Sequence, residues 1–161
     1  MTMARKPSGN QALYRFLFVI YAAAMLWLLF GQRLDRGISY ADYEAQLAGN
    51  INLEPLKTVR LYWKLLKNSQ NPYLLRHAFI NLVGNVIMFI PLGFFLPYIW
   101  KKQRAVLITL LSVAVLIVAV EALQFFSLLG SCDIDDLILN LTGALLGYIF
   151  WKLSGTVKKR R

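Results

Sequence analysis

Four long runs of apolar residues constrain this chain more than any other feature of its sequence. They lie at about 14–30, 78–100, 105–126 and 134–151. Each run falls within the roughly 17 to 25 residues that a helix needs to cross the hydrocarbon core of a bilayer. The composition agrees, because 58% of the 161 residues are hydrophobic and the mean hydropathy is +0.51. We therefore predict an all-α fold, an integral membrane bundle of four transmembrane helices.

Basic residues suggest how these helices are oriented in the cell membrane. The short connection "WKKQRA" contains three basic residues, whereas "SLLGSCD" contains none. Because Lys and Arg collect on the cytoplasmic side, both termini of this multi-pass protein are predicted to be cytoplasmic. The transmembrane domain then covers 14–153, between a basic amino-terminal segment at 1–13 and a basic tail at 154–161.

The net charge of +10 comes from basic residues whose positions indicate what kind of partner the protein contacts. The basic residues lie between and beyond the apolar runs, as juxtamembrane residues do, and they form no stripe on a soluble domain. Membrane lipids are therefore the expected partners, and nucleic acid is not.

The connection between the first two spans contains a candidate interfacial helix, "PLKTVRLYWKLLKNS" at 55–69. Helical spacing places Lys57, Arg60, Lys64 and Lys67 on one stripe, where they could contact lipid headgroups. A tethered helix in water would give the same pattern, since its apolar residues occupy a broad arc.

Four carboxylates occur between residues 121 and 140, yet no Lys or Arg occurs from 105 to 151. The predicted topology brings this stretch and the start of the second span to the same outer level of the membrane. The candidate binding residues at that level are Asn81, Asn85, Glu121, Gln124, Asp133, Asp135, Asp136 and Asn140.

Helical spacing divides these residues into pairs that share a helix face. Asn81 and Asn85 are four residues apart, Glu121 and Gln124 three, and Asp136 and Asn140 four. Charged side chains are costly in hydrocarbon, so they should face the interior of the bundle. We expect Asn85, Glu121, Gln124, Asp136 and Asn140 to line one enclosed site. We expect Asp133 and Asp135 to be more exposed, near its mouth.

Several of these residues also have purely structural interpretations. Asn81 and Asn85 could join helices by hydrogen bonds, and Asp133 or Ser131 could cap the fourth helix. Gly143 and Gly147 form a small-xxx-small pair, which is typical of close helix packing.

Four motifs resemble the VanZ-like family of bacterial membrane proteins: "NLEPLKT" (52–58), "NLVGNVIMFIPLGFFLP" (81–97), "EALQ" (121–124) and "DIDDLILNLTGALLGY" (133–148). The resemblance covers about 52–148. The positions that match the motifs are Asn81, Gly84, Asn85, Pro91, Gly93, Glu121, Gln124, Asp133, Asp135, Asp136, Asn140 and Gly143. The resemblance implies a role in the cell envelope, since the family is named after a protein associated with resistance to glycopeptide antibiotics, teicoplanin in particular.

Three functions remain open. The polar residues could bind a cell-wall precursor, a polyprenyl-phosphate lipid or a glycopeptide. A phosphate ligand would need a divalent cation such as Mg²⁺ or the basic stripe at 57–67, because acids repel phosphate.

Alternatively, paired carboxylates could catalyse a reaction on a lipid-linked envelope substrate. Against an enzyme, the sequence contains no nucleophilic triad pattern, nucleotide-binding loop or zinc motif, and no catalytic residue or resident cofactor is assigned. Finally, the polar residues could simply satisfy one another.

Overall fold

The computed structural model describes residues 9–31, 51–128 and 130–159. Most of the predicted amino-terminal segment at 1–13, much of the connection between the first two spans and the last two residues of the tail lie outside these ranges. The described residues form five helices, which we number α1 to α5. They are α1 (Gly9–Leu26, followed by a π-helical turn at Trp27–Gly31), α2 (Lys57–Asn68), α3 (Pro72–Ile99), α4 (Val106–Phe126) and α5 (Ile134–Lys159).

Four of these helices are long and apolar enough to cross a membrane, which confirms the predicted all-α membrane bundle. The second span, α3, begins at Pro72, earlier than the predicted residue 78. Asn71 accounts for this start, because its side chain accepts a hydrogen bond of 2.9 Å from the N–H of Tyr73. Pro72 then occupies the first helical turn, where its missing N–H costs nothing.

The predicted helix in the first connection is α2. Its four basic residues are all exposed, whereas Val59, Tyr62 and Leu66 are half-buried on another side. The nitrogen of Lys57 lies 3.8 Å from a carboxylate oxygen of Glu54. The pattern is amphipathic, and contact of the basic residues with lipid headgroups stays a prediction.

Glycines allow α3 and α5 to approach backbone to backbone. A Cβ atom on Gly143 would lie 2.0 Å from the carbonyl oxygen of Val86, and one on Gly147 would lie 1.9 Å from that of Ile90. Gly93 packs in the same way against Ala144. The small-xxx-small interpretation is therefore confirmed. These two helices make the most extensive contact in the bundle, next to a core that includes Phe89 and Ile117.

A short parallel strand pair ties the first connection to the start of α5. Strand β1 (Ile51–Asn52) pairs with β2 (Cys132–Asp133), with Ile51 opposite Cys132 and Asn52 opposite Asp133. The chain then enters α2 through Leu56, which has a left-handed φ of 63°. This pairing places the start of α2 directly against the first turn of α5.

Candidate functional site

The bundle encloses a polar cavity of about 100 Å³ near the predicted outer ends of the spans. We call it the polar cavity. Its lining residues come from all four spans and from the turn before α5: Leu29, Asn81, Asn85, Met88, Phe89, Ile117, Val120, Glu121, Gln124, Ser131, Asp136 and Asn140. The structure thus brings together the five side chains that were expected to share one enclosed site, and it adds Asn81. Whether they bind a ligand stays a prediction.

Hydrogen bonds hold several of these side chains in place. Asn85 donates from its amide nitrogen to a carboxylate oxygen of Asp136 at 2.5 Å, which joins α3 to α5. The amide of Asn81 instead donates to the carbonyl oxygen of His77 at 2.9 Å, within its own helix. Asn85 therefore joins two helices, whereas the amide of Asn81 is held by its own helix.

The side chain of Asn140 places an unsatisfied acceptor in the lining of the polar cavity. It is only 5% exposed, and its Oδ1 has no hydrogen-bond partner among the described residues. A buried polar atom without a partner is unfavourable, and such atoms are rare in folded proteins. Asn140 therefore leaves a hydrogen-bond acceptor available at the cavity.

The first span contributes a backbone group that the sequence did not indicate. Gln124 is 5% exposed, and its amide nitrogen donates to the carbonyl oxygen of Leu29 at 2.9 Å. Leu29 lies in the π-helical turn at Trp27–Gly31, and a second π-helical turn, Ile80–Gly84, contains Asn81. Such turns interrupt the regular hydrogen-bond ladder and often occur at functional sites. The only signal in the sequence was the buried donor of Gln124, which needed an acceptor.

Asp133 and Asp135 do not lie exposed at the mouth of the site, so that expectation was wrong. Asp135 is 0% exposed and Asp133 is 9% exposed. The two oxygens of Asp135 accept the backbone N–H groups of Leu56, at 2.5 Å, and Val59, at 3.0 Å. These N–H groups belong to the N-cap and the first turn of α2, where a negative charge also complements the helix dipole. Asp135 thus caps a helix that is distant in sequence.

Asp133 completes this connection. Its carboxylate accepts hydrogen bonds from the Thr58 hydroxyl at 2.6 Å and from the amide of Asn52 at 3.1 Å. It also accepts the N–H of Asp135 at 2.9 Å, as the N-cap of α5 would, in agreement with the structural interpretation of this residue. We call Asn52, Leu56, Thr58, Val59, Asp133 and Asp135 the outer clamp, after the side of the membrane that the predicted topology gives them. It joins the first and last motifs of the chain.

Two neighbouring side chains have pKa values that are raised in part by the acids of this region. The pKa of the Tyr62 hydroxyl is raised by burial and then by the carboxylates of Asp136 and Asp133. The pKa of the Cys132 thiol is raised by burial and then by Glu121 and Asp133. In both cases the negative charges oppose formation of a further anion. Tyr62 and Cys132 therefore lie within the electrostatic reach of the acids.

The polar cavity mainly offers acceptors for hydrogen bonds and positive charge. Glu121 and Asp136 supply carboxylates, Asn140 supplies a carbonyl oxygen, and no Lys or Arg is among the described lining residues. In the part of the chain that the structure describes, no group of three or more His, Cys, Asp and Glu side chains could hold a metal ion. A cation or a donor-rich group of a ligand matches this lining better than an anion does.

Comparisons with known proteins identify a family and a relative of this chain. The sequence matches the family described as VanZ/LLP1 over residues 18–155. It is also similar to a curated relative, Protein VanZ of Enterococcus faecium, with 28% identity over 145 residues. That similarity covers 90% of this chain and 77% of the relative. No solved structure matches the chain with significance.

Proposed function

The chain belongs to the VanZ/LLP1 family, and from that premise we propose that it modulates the bacterial cell envelope by binding a ligand in the polar cavity. The proposed ligand is a cell-wall precursor, a polyprenyl lipid or a glycopeptide. The observation that carries this proposal is the convergence of Asn85, Glu121, Asp136 and Asn140 on one cavity, with the Asn140 oxygen lacking a partner among the described residues. If these side chains served only to pack the bundle, apolar side chains at the same positions would make it more stable.

A phosphate on such a ligand would have to avoid the acids. We propose that it is placed at the basic residues of α2, which are exposed at the same end of the bundle as the outer clamp. A divalent cation bridging the phosphate to a carboxylate is the alternative arrangement. Both arrangements keep phosphate oxygens away from direct contact with Glu121 and Asp136.

The proposal requires the polar cavity to lie at the outer side of the cell membrane, with both termini in the cytoplasm. Cys132 tests this orientation, because it lies in the short connection before α5 and is half-buried. A membrane-impermeant thiol reagent should label Cys132 in intact cells. Labelling that requires permeabilisation of cells containing the folded protein would show that the orientation is reversed.

The function itself is tested by neutralising the acids of the polar cavity. Glu121→Gln and Asp136→Asn keep size and most hydrogen bonding but remove charge, so each should abolish the envelope phenotype while the protein still folds. The phenotype is protection against a glycopeptide such as teicoplanin in a host without its own copy, and folding is measured by thermal stability in detergent. Glu54→Gln is the matched control, because the Glu54 side chain is 60% exposed and lies outside the cavity.

Three results would contradict the proposal. Protection retained in both cavity variants would rule out a charge-based mechanism. Loss of folding in both would favour a structural role for the acids. No protection by the unaltered chain would contradict the envelope function in that host.

A further inference from the structure

An apolar groove of about 290 Å³ lies beside the polar cavity, between α4 and α5. We call it the apolar groove. Its walls include Val118, Ala122 and Phe125 of α4, Ile134 and Leu137 of α5, and Leu53 of the first connection. Val118 and Leu53 are 56% and 68% exposed in the isolated bundle. In a membrane this exposed side faces lipid, so a hydrocarbon chain could enter the groove sideways.

The apolar groove and the polar cavity share two lining residues, Ile117 and Glu121. Both residues belong to α4, and they lie about one helical turn apart. Asp133 also borders the groove, but both of its oxygens accept hydrogen bonds within the outer clamp. Glu121 therefore marks the point where an apolar surface meets a polar one.

We infer that the groove and the cavity together bind one membrane amphiphile. Its hydrocarbon chain lies in the apolar groove, and its headgroup reaches past Glu121 into the polar cavity. This inference rests on the proposed function and narrows the ligand to a lipid-linked one.

The lining of the cavity determines the chemistry of the headgroup. The carboxylates of Glu121 and Asp136 attract positive charge, and the buried Asn140 oxygen needs a donor. An ammonium group provides both a charge and N–H donors, whereas a phosphate provides neither. The headgroup portion in the cavity therefore carries an amine, and its size is limited by the volume of about 100 Å³.

Paired photoreactive probes test this inference on the full chain in neutral phosphatidylcholine nanodiscs. One probe is a single-chain primary amine and the other is the phosphate monoester of the same chain, each with a diazirine in mid-chain. The amine is charged at neutral pH. Cross-linked residues are located by mass spectrometry in the groove segment, 117–137, and at Ile149 and Phe150, which are exposed elsewhere on the bundle.

The amine probe should label the groove segment about tenfold more than the phosphate probe does, as expected for one charge-assisted hydrogen bond. The two probes should label Ile149 and Phe150 similarly. A preference for the amine would be notable because the net charge of +10 favours the anionic probe in general. Equal labelling of the groove by both probes would identify ordinary lipid contact and overturn the inference.

Two variants separate the groove from the cavity. Ala122→Phe fills the groove and should reduce amine labelling about tenfold, whereas Ala119→Phe, on the exposed side of the same helix, should leave labelling unchanged. Asn140→Leu should reduce the preference for the amine, because only the two carboxylates then attract it, while labelling by the chain persists. Unchanged labelling in Ala122→Phe, or an unchanged preference in Asn140→Leu, would contradict the inference.

Failure of this inference is distinguishable from failure of the proposed function. Unselective labelling together with loss of protection in Glu121→Gln would leave the envelope function in place and remove the amphiphile. Selective labelling together with full protection in both Glu121→Gln and Asp136→Asn would establish the amphiphile site and contradict the charge-based mechanism of the envelope function.

Discussion

Two adjacent aspartates in the first turn of α5, Asp135 and Asp136, occupy opposite environments. Asp135 is completely buried, and both of its oxygens accept backbone N–H groups from the start of α2. Asp136 is half-buried, lines the polar cavity and accepts a hydrogen bond from Asn85. The same side chain thus belongs to the outer clamp at one position and to the candidate binding site at the next.

Helix geometry explains the difference. Successive residues of an α-helix point about 100° apart, because each turn contains about 3.6 residues. Asp135 therefore points toward α2 while Asp136 points toward α3 and the cavity. The two aspartates show that the role of an acid in this turn depends on which segment packs against its side of the helix.

The largest loss of stability should come from separating α3 and α5 on the side of the helix where Asp136 lies. Gly143→Ala places a Cβ atom 2.0 Å from the carbonyl oxygen of Val86, so the two backbones must move apart. We expect a loss of about 3 kcal/mol in the free energy of unfolding, at the upper end for overpacking. Gly84→Ala is the control, since among the described residues its Cβ would meet only the Ile80 side chain, at 3.7 Å. Equal thermal stability of the two variants in detergent would show that close packing does not hold the Asp136 side together.

A smaller effect should come from weakening the outer clamp. Thr58→Val removes the hydroxyl that donates to Asp133 at 2.6 Å and accepts from Asn52 at 3.0 Å. The expected loss of stability is about 1–2 kcal/mol. Faster hydrogen exchange should accompany it at 52–59.

Thr142→Val provides the matched control. Among the described residues, the exposed hydroxyl of Thr142 donates only to the carbonyl oxygen of Ile138, in its own helix. Equal losses in the free energy of unfolding of the two threonine variants would show that the outer clamp stabilises the protein no more than a local helix hydrogen bond does.

The smallest effect should be a change in the reactivity of Cys132. Glu121 raises the pKa of the Cys132 thiol, so Glu121→Gln should lower that pKa and increase the thiolate fraction at neutral pH. Alkylation should become a few-fold faster, since the lower nucleophilicity of the thiolate offsets part of the gain.

The pH at which the alkylation rate is half-maximal should also move downward in Glu121→Gln. Asp136→Asn is the control, because Asp136 is not among the causes that raise the Cys132 pKa. A rate that rises in Asp136→Asn but not in Glu121→Gln would contradict the separate placement of these two acids.

The sequence predicted the bundle and the polar cavity for definite physical reasons. Apolar length identifies a spanning helix, and helical spacing combined with topology places Asn85, Glu121 and Asp136 at one level. Backbone groups from distant segments have no such signature. The partners of Asp135 are the N–H groups of Leu56 and Val59, which any residue type other than proline could supply. For the same reason, the sequence could not indicate that the Leu29 carbonyl accepts a hydrogen bond from Gln124.

The most direct test of this division of roles is to make the same change at both aspartates and compare thermal stability in the same detergent. Asp135→Asn puts an amide where two backbone donors need acceptors, so it should cost about 2–3 kcal/mol and lower the melting temperature clearly. Asp136→Asn can still accept from Asn85 and removes a charge from a confined site, so its stability should stay within about 0.5 kcal/mol of the unaltered chain or rise. Equal losses in the two variants, or a larger loss in Asp136→Asn, would contradict the account.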